Sequence, residues 1–226
     1  RLSQMYEKPK NLLNLARERN TAVIAFICMD YIMARSVVYA AEKTDTPVII
    51  MLYPEHVSVQ HTTGFCSFAS MVKELAEEVK IPIGLHADHD YSYDAVVKTM
   101  MSGFDSIMMD GSMYSLEKNI SITKEVVDKA HSMGVCVEGE IGHVGLAKEA
   151  DNNKEDLYTK PEAARKFCEA TGVDALAISI GNAHGEYKSV PKLDIKRLEE
   201  IREMTDVPLV LHCLLYTSDA ADDLLC

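Results

Sequence analysis

Three histidines stand at or just past the ends of apolar runs. His89 closes Leu85-His86-Ala87-Asp88-His89, His184 lies in Ile180-Gly181-Asn182-Ala183-His184-Gly185, and His212 closes Pro208-Leu209-Val210-Leu211-His212. Each run reads as a buried strand, so each imidazole falls where a strand would emerge. Three imidazoles from separate strands, with the Asp88 carboxylate beside one of them, are the ingredients of an open catalytic metal site. A strand that ends at Asp88 frees both Asp88 and His89 to turn toward the opening. One can then bind metal while the other works as an acid or base. Asp110 and Glu140 close two further runs, and Glu140 shares a strand face with Glu138. A buried carboxylate needs a partner, and either a metal or a salt bridge would serve. The turn Gly181-Asn182-Ala183-His184-Gly185 can offer free backbone N–H groups to an anion.

The remaining histidines carry weaker signals. His86 reads as a packed or hydrogen-bonded strand residue. His131 falls on a solvated helix end, and His56 and His61 lie in a loop where a surface role is expected. His143 has no comparable context. The pairs Met100-Met101 and Met108-Met109 read as core filling. Glu77-Glu78 and Glu199-Glu200 read as solvated helix faces.

These groups need a scaffold, and the periodicity supplies one. Short apolar strands are expected at 22–26, 48–52, 83–88, 106–110, 135–140, 175–180 and 209–212. Between them lie helical patterns at 31–43, 66–79, 93–102, 116–132, 161–171 and 195–204, with an opening helix at 9–19. Thr159 and Glu162 have capping-box spacing, with Pro161 in the first turn. Gly103, Gly134 and Gly172 each follow a helix, as left-handed C-cap residues would. Near-continuous apolar strands separated by helices imply a parallel sheet covered on both faces. No strand ends in a dinucleotide or phosphate-loop glycine motif. The expected fold is therefore α/β, a TIM (β/α)8 barrel cut short after its seventh strand. In such a barrel the functional residues gather at the C-terminal ends of strands, where His89, Asp110, Glu140, His184 and His212 fall.

Bulk properties narrow the function. The 226 residues suffice for one large domain, and 47% hydrophobic with 26% charged residues describes an ordinary globular chain. A net charge of −12 argues against nucleic-acid and anionic-membrane surfaces. No apolar run approaches the roughly 20 residues of a membrane span. Six scattered cysteines without a CxxC pair suggest reduced thiols, buried at Cys28, Cys136 and Cys168, and a cytoplasmic compartment. The N-terminus shows neither a signal peptide nor an initiator Met, so the chain reads as a fragment.

In succession, His86-Ala87-Asp88-His89, the segment from Gly103 to Ser112, Glu138-Gly139-Glu140-Ile141-Gly142, Leu157-Tyr158-Thr159, the segment from Gly181 to Lys188 and Leu209-Val210-Leu211-His212 resemble the class II ketose-bisphosphate aldolases. These include the fructose- and tagatose-bisphosphate enzymes. The resemblance implies catalytic Zn2+ held by His89, His184 and His212, with Asp88 as the acid/base on the substrate C4 hydroxyl. Glu140 and Asp110 match carboxylates that contact a second or alternative divalent metal position. Gly181, Asn182 and Gly185 match the turn that holds the dihydroxyacetone phosphate end, with a monovalent cation nearby. The implied reaction is reversible cleavage of a ketose 1,6-bisphosphate, fructose or tagatose, to dihydroxyacetone phosphate and glyceraldehyde 3-phosphate. A Lewis acid polarising the C2 carbonyl replaces the Schiff-base lysine of class I enzymes, and no expected strand carries a lysine. Relatives of this kind are commonly homodimers or homotetramers. Two other readings stay open: another metal-dependent lyase or phosphohydrolase on a barrel, and a non-catalytic sugar-phosphate-binding relative.

Several positions depart from the family pattern. Ile27-Cys28-Met29-Asp30 stands where an Asn-containing segment is usual, and Asp90 where a glycine is usual. The loop Gly145-Leu146-Ala147-Lys148-Glu149 replaces the usual GG-x-E-D, leaving Glu149 as the nearest acid for the C1 proton. Residues 1–212 read as the aldolase domain, lacking an eighth strand. Residues 213–226 replace the expected glycine-rich turn with a string resembling translated sequencing adapter, and read as foreign. A barrel without its last strand is expected to fold poorly and to have little activity.

Overall fold

A computed structural model describes residues 6–59, 63–142, 158–182 and 192–213. By contact the chain divides into two compact units, Arg1–Asp110 with Glu125–Glu138, and Gly111–Lys124 with Gly139–Cys226. The first holds α1 (Pro9–Glu18), β1 (Ile24–Ile27), α2 (Tyr31–Thr44), β2 (Val48–Leu52), α3 (Pro54–Val59), α4 (Phe65–Glu77), β3 (Ile83–Asp90), α5 (Tyr93–Met101) and β4 (Ser106–Met109). Helix α6 (Leu116–Ser132) and strand β5 (Cys136–Ile141) belong to both. The second holds α7 (Pro161–Thr171), β6 (Ala175–Ile178), α8 (Ile195–Met204) and β7 (Leu209–Val210). The strands are parallel, with hydrogen-bonded neighbours in chain order from β1 to β7. Seven strands alternating with helices is the α/β architecture the periodicity implied.

The helix starts follow from their first residues. Asp30, Ser92 and Asp194 each accept a hydrogen bond from a backbone N–H three residues on, capping α2, α5 and α8. Gly172 ends α7 with φ of 74°, a conformation open to glycine at little strain. Strands β3 to β6 are buried along their whole length, which accounts for the near-continuous apolar runs of β4 and β6. Phe68, Phe104, Leu85 and Ile107 fill the core of the first unit, and Phe167, Leu176 and Ile178 that of the second. A side chain at Gly139 would stand 2.7 Å from Phe167 Cε1, so packing requires the glycine between Glu138 and Glu140. At the opposite strand ends, the Lys8 ammonium donates to the Gly134 carbonyl (2.6 Å) and that of Lys73 to the Gly103 carbonyl (2.7 Å). Among the described residues no helix is long and apolar enough to cross a membrane.

Four expectations change. Strand β3 runs on to Asp90 instead of ending at Asp88. The 54–59 segment forms a short helix, and its His56 is buried, with its ring edge-on to Tyr53 at 5.0 Å, instead of lying on the surface. Met101 is 70% exposed, on the outer side of α5, while Met100, Met108 and Met109 are core residues. Thr159 does not cap α7; the N-cap is Lys160, without a side-chain hydrogen bond. The Thr159 hydroxyl instead donates to the Ile141 carbonyl (2.7 Å) and accepts from the Ser179 N–H (2.9 Å). Buried strand-end groups out of reach of water outcompete a helix end that solvent can satisfy. Thr159→Val should therefore lower stability by about 1–3 kcal/mol through two buried groups left unmade. Urea unfolding should show a reduced midpoint with an unchanged slope.

Candidate metal centre and active site

In the first unit, the site is made by an irregularity in β3. Ala87 pairs with Ile107 and Asp90 with Met109, so three steps along β3 oppose two along β4. This is a β-bulge, and its extra residue falls at Asp88-His89. His89 has φ of 36°, a left-handed conformation uncommon outside glycine. Neighbouring residues of a regular strand point to opposite faces. Here the Asp88 carboxylate and the His89 Nε2 come within 3.7 Å of each other. His89 Nδ1 lies 3.1 Å from the Asp110 Oδ2, so the carboxylate at the end of β4 fixes the rotation of the ring. All three residues are buried.

The bulge is held on its far side. The Thr99 hydroxyl of α5 donates to the Asp90 carboxylate (2.9 Å), and the Asp90 carbonyl accepts from the Asp110 N–H (2.9 Å). Burial pushes the Asp90 carboxyl up to about 6, opposed by the Thr99 hydrogen bond and by Lys98. One layer down, the His86 Nδ1 meets the Ser106 hydroxyl at 2.8 Å and its Nε2 lies 3.6 Å from Glu138, the packed strand role expected of it.

Two tyrosines that strand-end logic could have flagged, had it been applied to β2 and to the residue after Asp90, lie against His89. Tyr53 is edge-on to its ring and Tyr91 nearly parallel to it, each with centroids at 6.2 Å. Tyr53 donates to Glu55 at 2.6 Å, and its oxygen lies 3.5 Å from that of Tyr91. Burial, then Glu55, pushes the Tyr53 phenol above its ordinary range. The Cys28 thiol, pushed up to about 12 by burial and then Asp30, is no nucleophile at neutral pH.

In the second unit, Glu140 is buried and its carbonyl accepts from the Asn119 side chain of α6 at 2.7 Å. Gly181 has φ of 108°, and a side chain there would meet the Lys192 carbonyl and the Tyr158 hydroxyl, each at 2.9 Å. The Asn182 carbonyl oxygen accepts from the Ile180 N–H at 2.9 Å, and its amide donates to the carbonyls of Ile178 (3.3 Å) and His212 (3.2 Å). Asn182 thereby ties the end of β6 to the backbone of His212, two residues past β7. His184, Gly185, Glu149, His61 and His143 lie outside the described residues, as does the tail from residue 214. Asp88, His89, Asp110, Glu140 and His212 are buried and of types that could hold a metal ion.

Parallel strands with buried imidazoles and carboxylates at their C-terminal ends define the class of (β/α) barrel enzymes. The family model for class II fructose-bisphosphate aldolase matches residues 7–220. A Bacillus subtilis (strain 168) protein named "Probable fructose-bisphosphate aldolase" is 36% identical over 203 residues, covering 89% of this chain and 70% of its own length. The crystal structure of the YdjI aldolase from Escherichia coli K12 superposes with a TM-score of 0.82 at 33% identity, covering 96% of this chain and 76% of that one. The fructose-bisphosphate aldolase of Campylobacter jejuni shares the fold, with a TM-score of 0.76 at 23% identity over 92% of this chain and 70% of that one. The chain belongs to the class II fructose-bisphosphate aldolase family and is a lyase of that kind.

Proposed function

We propose that this chain reversibly cleaves the C3–C4 bond of a ketose 1,6-bisphosphate, fructose or tagatose, into dihydroxyacetone phosphate and glyceraldehyde 3-phosphate. The observation that carries the reading is the bulge in β3, which turns Asp88 and His89 to the same side and backs His89 with Asp110. The donor types fit zinc, which takes imidazole nitrogens and carboxylate oxygens. His89, His184 and His212 would hold it, with Asp110 and Glu140 serving a second or alternative divalent position. When bound, the cation supplies Lewis-acid polarisation of the C2 carbonyl.

The chain's own residues do the rest. Asp88 takes the proton of the C4 hydroxyl as the bond breaks, and returns it in the condensation direction. Asp110 keeps His89 in one orientation. Gly181, Asn182 and Gly185 present backbone N–H groups to the C1 phosphate, beside a monovalent cation. The left-handed conformation at Gly181 and the lack of room there for a side chain support that role. Glu149 is the acid proposed to handle the C1 proton.

The zinc-loaded protein should release dihydroxyacetone phosphate from one of the two bisphosphates and no inorganic phosphate. The rate should be low, because residues 213–226 do not carry the glycine-rich turn that the family pattern places after the third histidine. Release of inorganic phosphate would replace the aldolase reading with a phosphohydrolase. Binding without cleavage of either sugar would leave a sugar-phosphate-binding relative.

A further inference from the structure

Tyr53 and Tyr91 have no part in the reaction as described, yet both rings are set against the imidazole assigned to the cation. They reach it from different segments, Tyr53 from the residue after β2 and Tyr91 from the residue after β3. One ring stands at 86° to the imidazole and the other at 18°, so one is edge-on to it and the other nearly parallel. Centroid distances of 6.2 Å lie within the range over which aromatic rings attract.

The hydroxyls are ordered too. The Tyr53 hydroxyl donates to the Glu55 carboxylate, and its oxygen lies 3.5 Å from that of Tyr91. The two phenol groups thus meet beside His89, one from each segment. The Thr99 bond to Asp90 pins the residue preceding Tyr91. His89 meanwhile occupies a left-handed conformation that its own sequence does not favour. Something around it must hold that conformation and the ring angle together.

We propose that Tyr53 and Tyr91 are positioning residues that clamp the His89 imidazole, and that the clamp sets how long the cation stays bound. This rests on the zinc reading given above. Asp110 restrains the ring from one nitrogen, and the two tyrosines restrain its plane, so the second nitrogen is held in one direction. A ligand whose plane is free must be re-ordered at each binding event, and release is correspondingly faster. Because Tyr91 is half exposed, its removal touches little of the core.

The test compares Tyr53→Ala, Tyr91→Ala, Tyr53→Phe and Tyr91→Phe with the unaltered full chain, each loaded with one equivalent of zinc. Transfer of zinc to a chromophoric chelator gives the release rate, and visible absorption after cobalt(II) substitution reports the ligand field. Each alanine variant should release zinc about tenfold faster and shift the cobalt bands. The phenylalanine variants keep the rings and should change release by about threefold or less. Chelator-treated forms of all five proteins should unfold at nearly the same temperature. Alanine variants that release zinc at the wild-type rate, from a wild-type protein that binds one equivalent, overturn the clamp alone. Phenylalanine variants as fast as the alanine ones overturn it as well, by assigning the effect to the hydroxyls. A wild-type protein that takes up no zinc overturns the metal reading, and the clamp falls with it.

Discussion

Asp88→Ala should remove aldol cleavage by a factor of about 10²–10⁴ while leaving zinc bound. The carboxylate sits beside the Nε2 of His89 at 3.7 Å, on the same side of β3, and is buried. A group so placed can reach a hydroxyl on a substrate drawn to the same cation. Asp110, on the other nitrogen, keeps His89 oriented in its absence, which is why metal uptake should survive. Asp88→Asn makes the sharper comparison, since it keeps the size of the side chain while losing its charge and its capacity to take a proton. Both variants should bind one equivalent of zinc by chelator competition and show kcat reduced with little change in KM. Turnover unchanged in the asparagine variant would remove Asp88 from the proton transfer.

Stripping the metal should have the next largest effect. Chelator treatment is expected to abolish dihydroxyacetone phosphate release and stoichiometric zinc to restore it, because without a Lewis acid nothing stabilises charge at C2. Heat should show the same dependence. A cation that binds only the folded chain stabilises it by about 4 kcal/mol at a thousand times its dissociation constant. Scanning calorimetry should therefore show a higher Tm with zinc than with chelator. His89→Ala should narrow that difference. Activity that persists through exhaustive chelation would exclude a metal route.

Much of this was legible from residue order alone. Runs such as Val48–Leu52 and Ala175–Ile178 are apolar throughout, so their burial on both faces follows from composition. The caps at Asp30, Ser92 and Asp194 are local chemistry. Strand-end logic reached Asp88, His89, Asp110, Glu140 and His212, all of which are buried.

What escaped depends on contacts distant in sequence. Thr159 has capping spacing, but its hydroxyl is claimed by Ile141 and Ser179, eighteen and twenty residues away. His56 reads as a loop residue because nothing nearby announces α3 or the ring of Tyr53. The bulge was missed because nothing in the order Ala87 to Asp90 marks an extra residue; only the pairing with Ile107 and Met109 reveals it. Tyr53 and Tyr91 escaped because tyrosine at a strand end has no single reading.

The bulge in β3 makes the reaction a matter of parity. Upstream of it, odd and even positions alternate faces; the extra residue breaks that alternation at Asp88-His89. A substitution at Asp88 or His89 alters one chemical group. Loss or gain of a single residue there would shift the pairing of Asp90 with Met109, and with it the end of the strand from which Tyr91 departs. Residue count at this point therefore matters to the site as much as residue identity does.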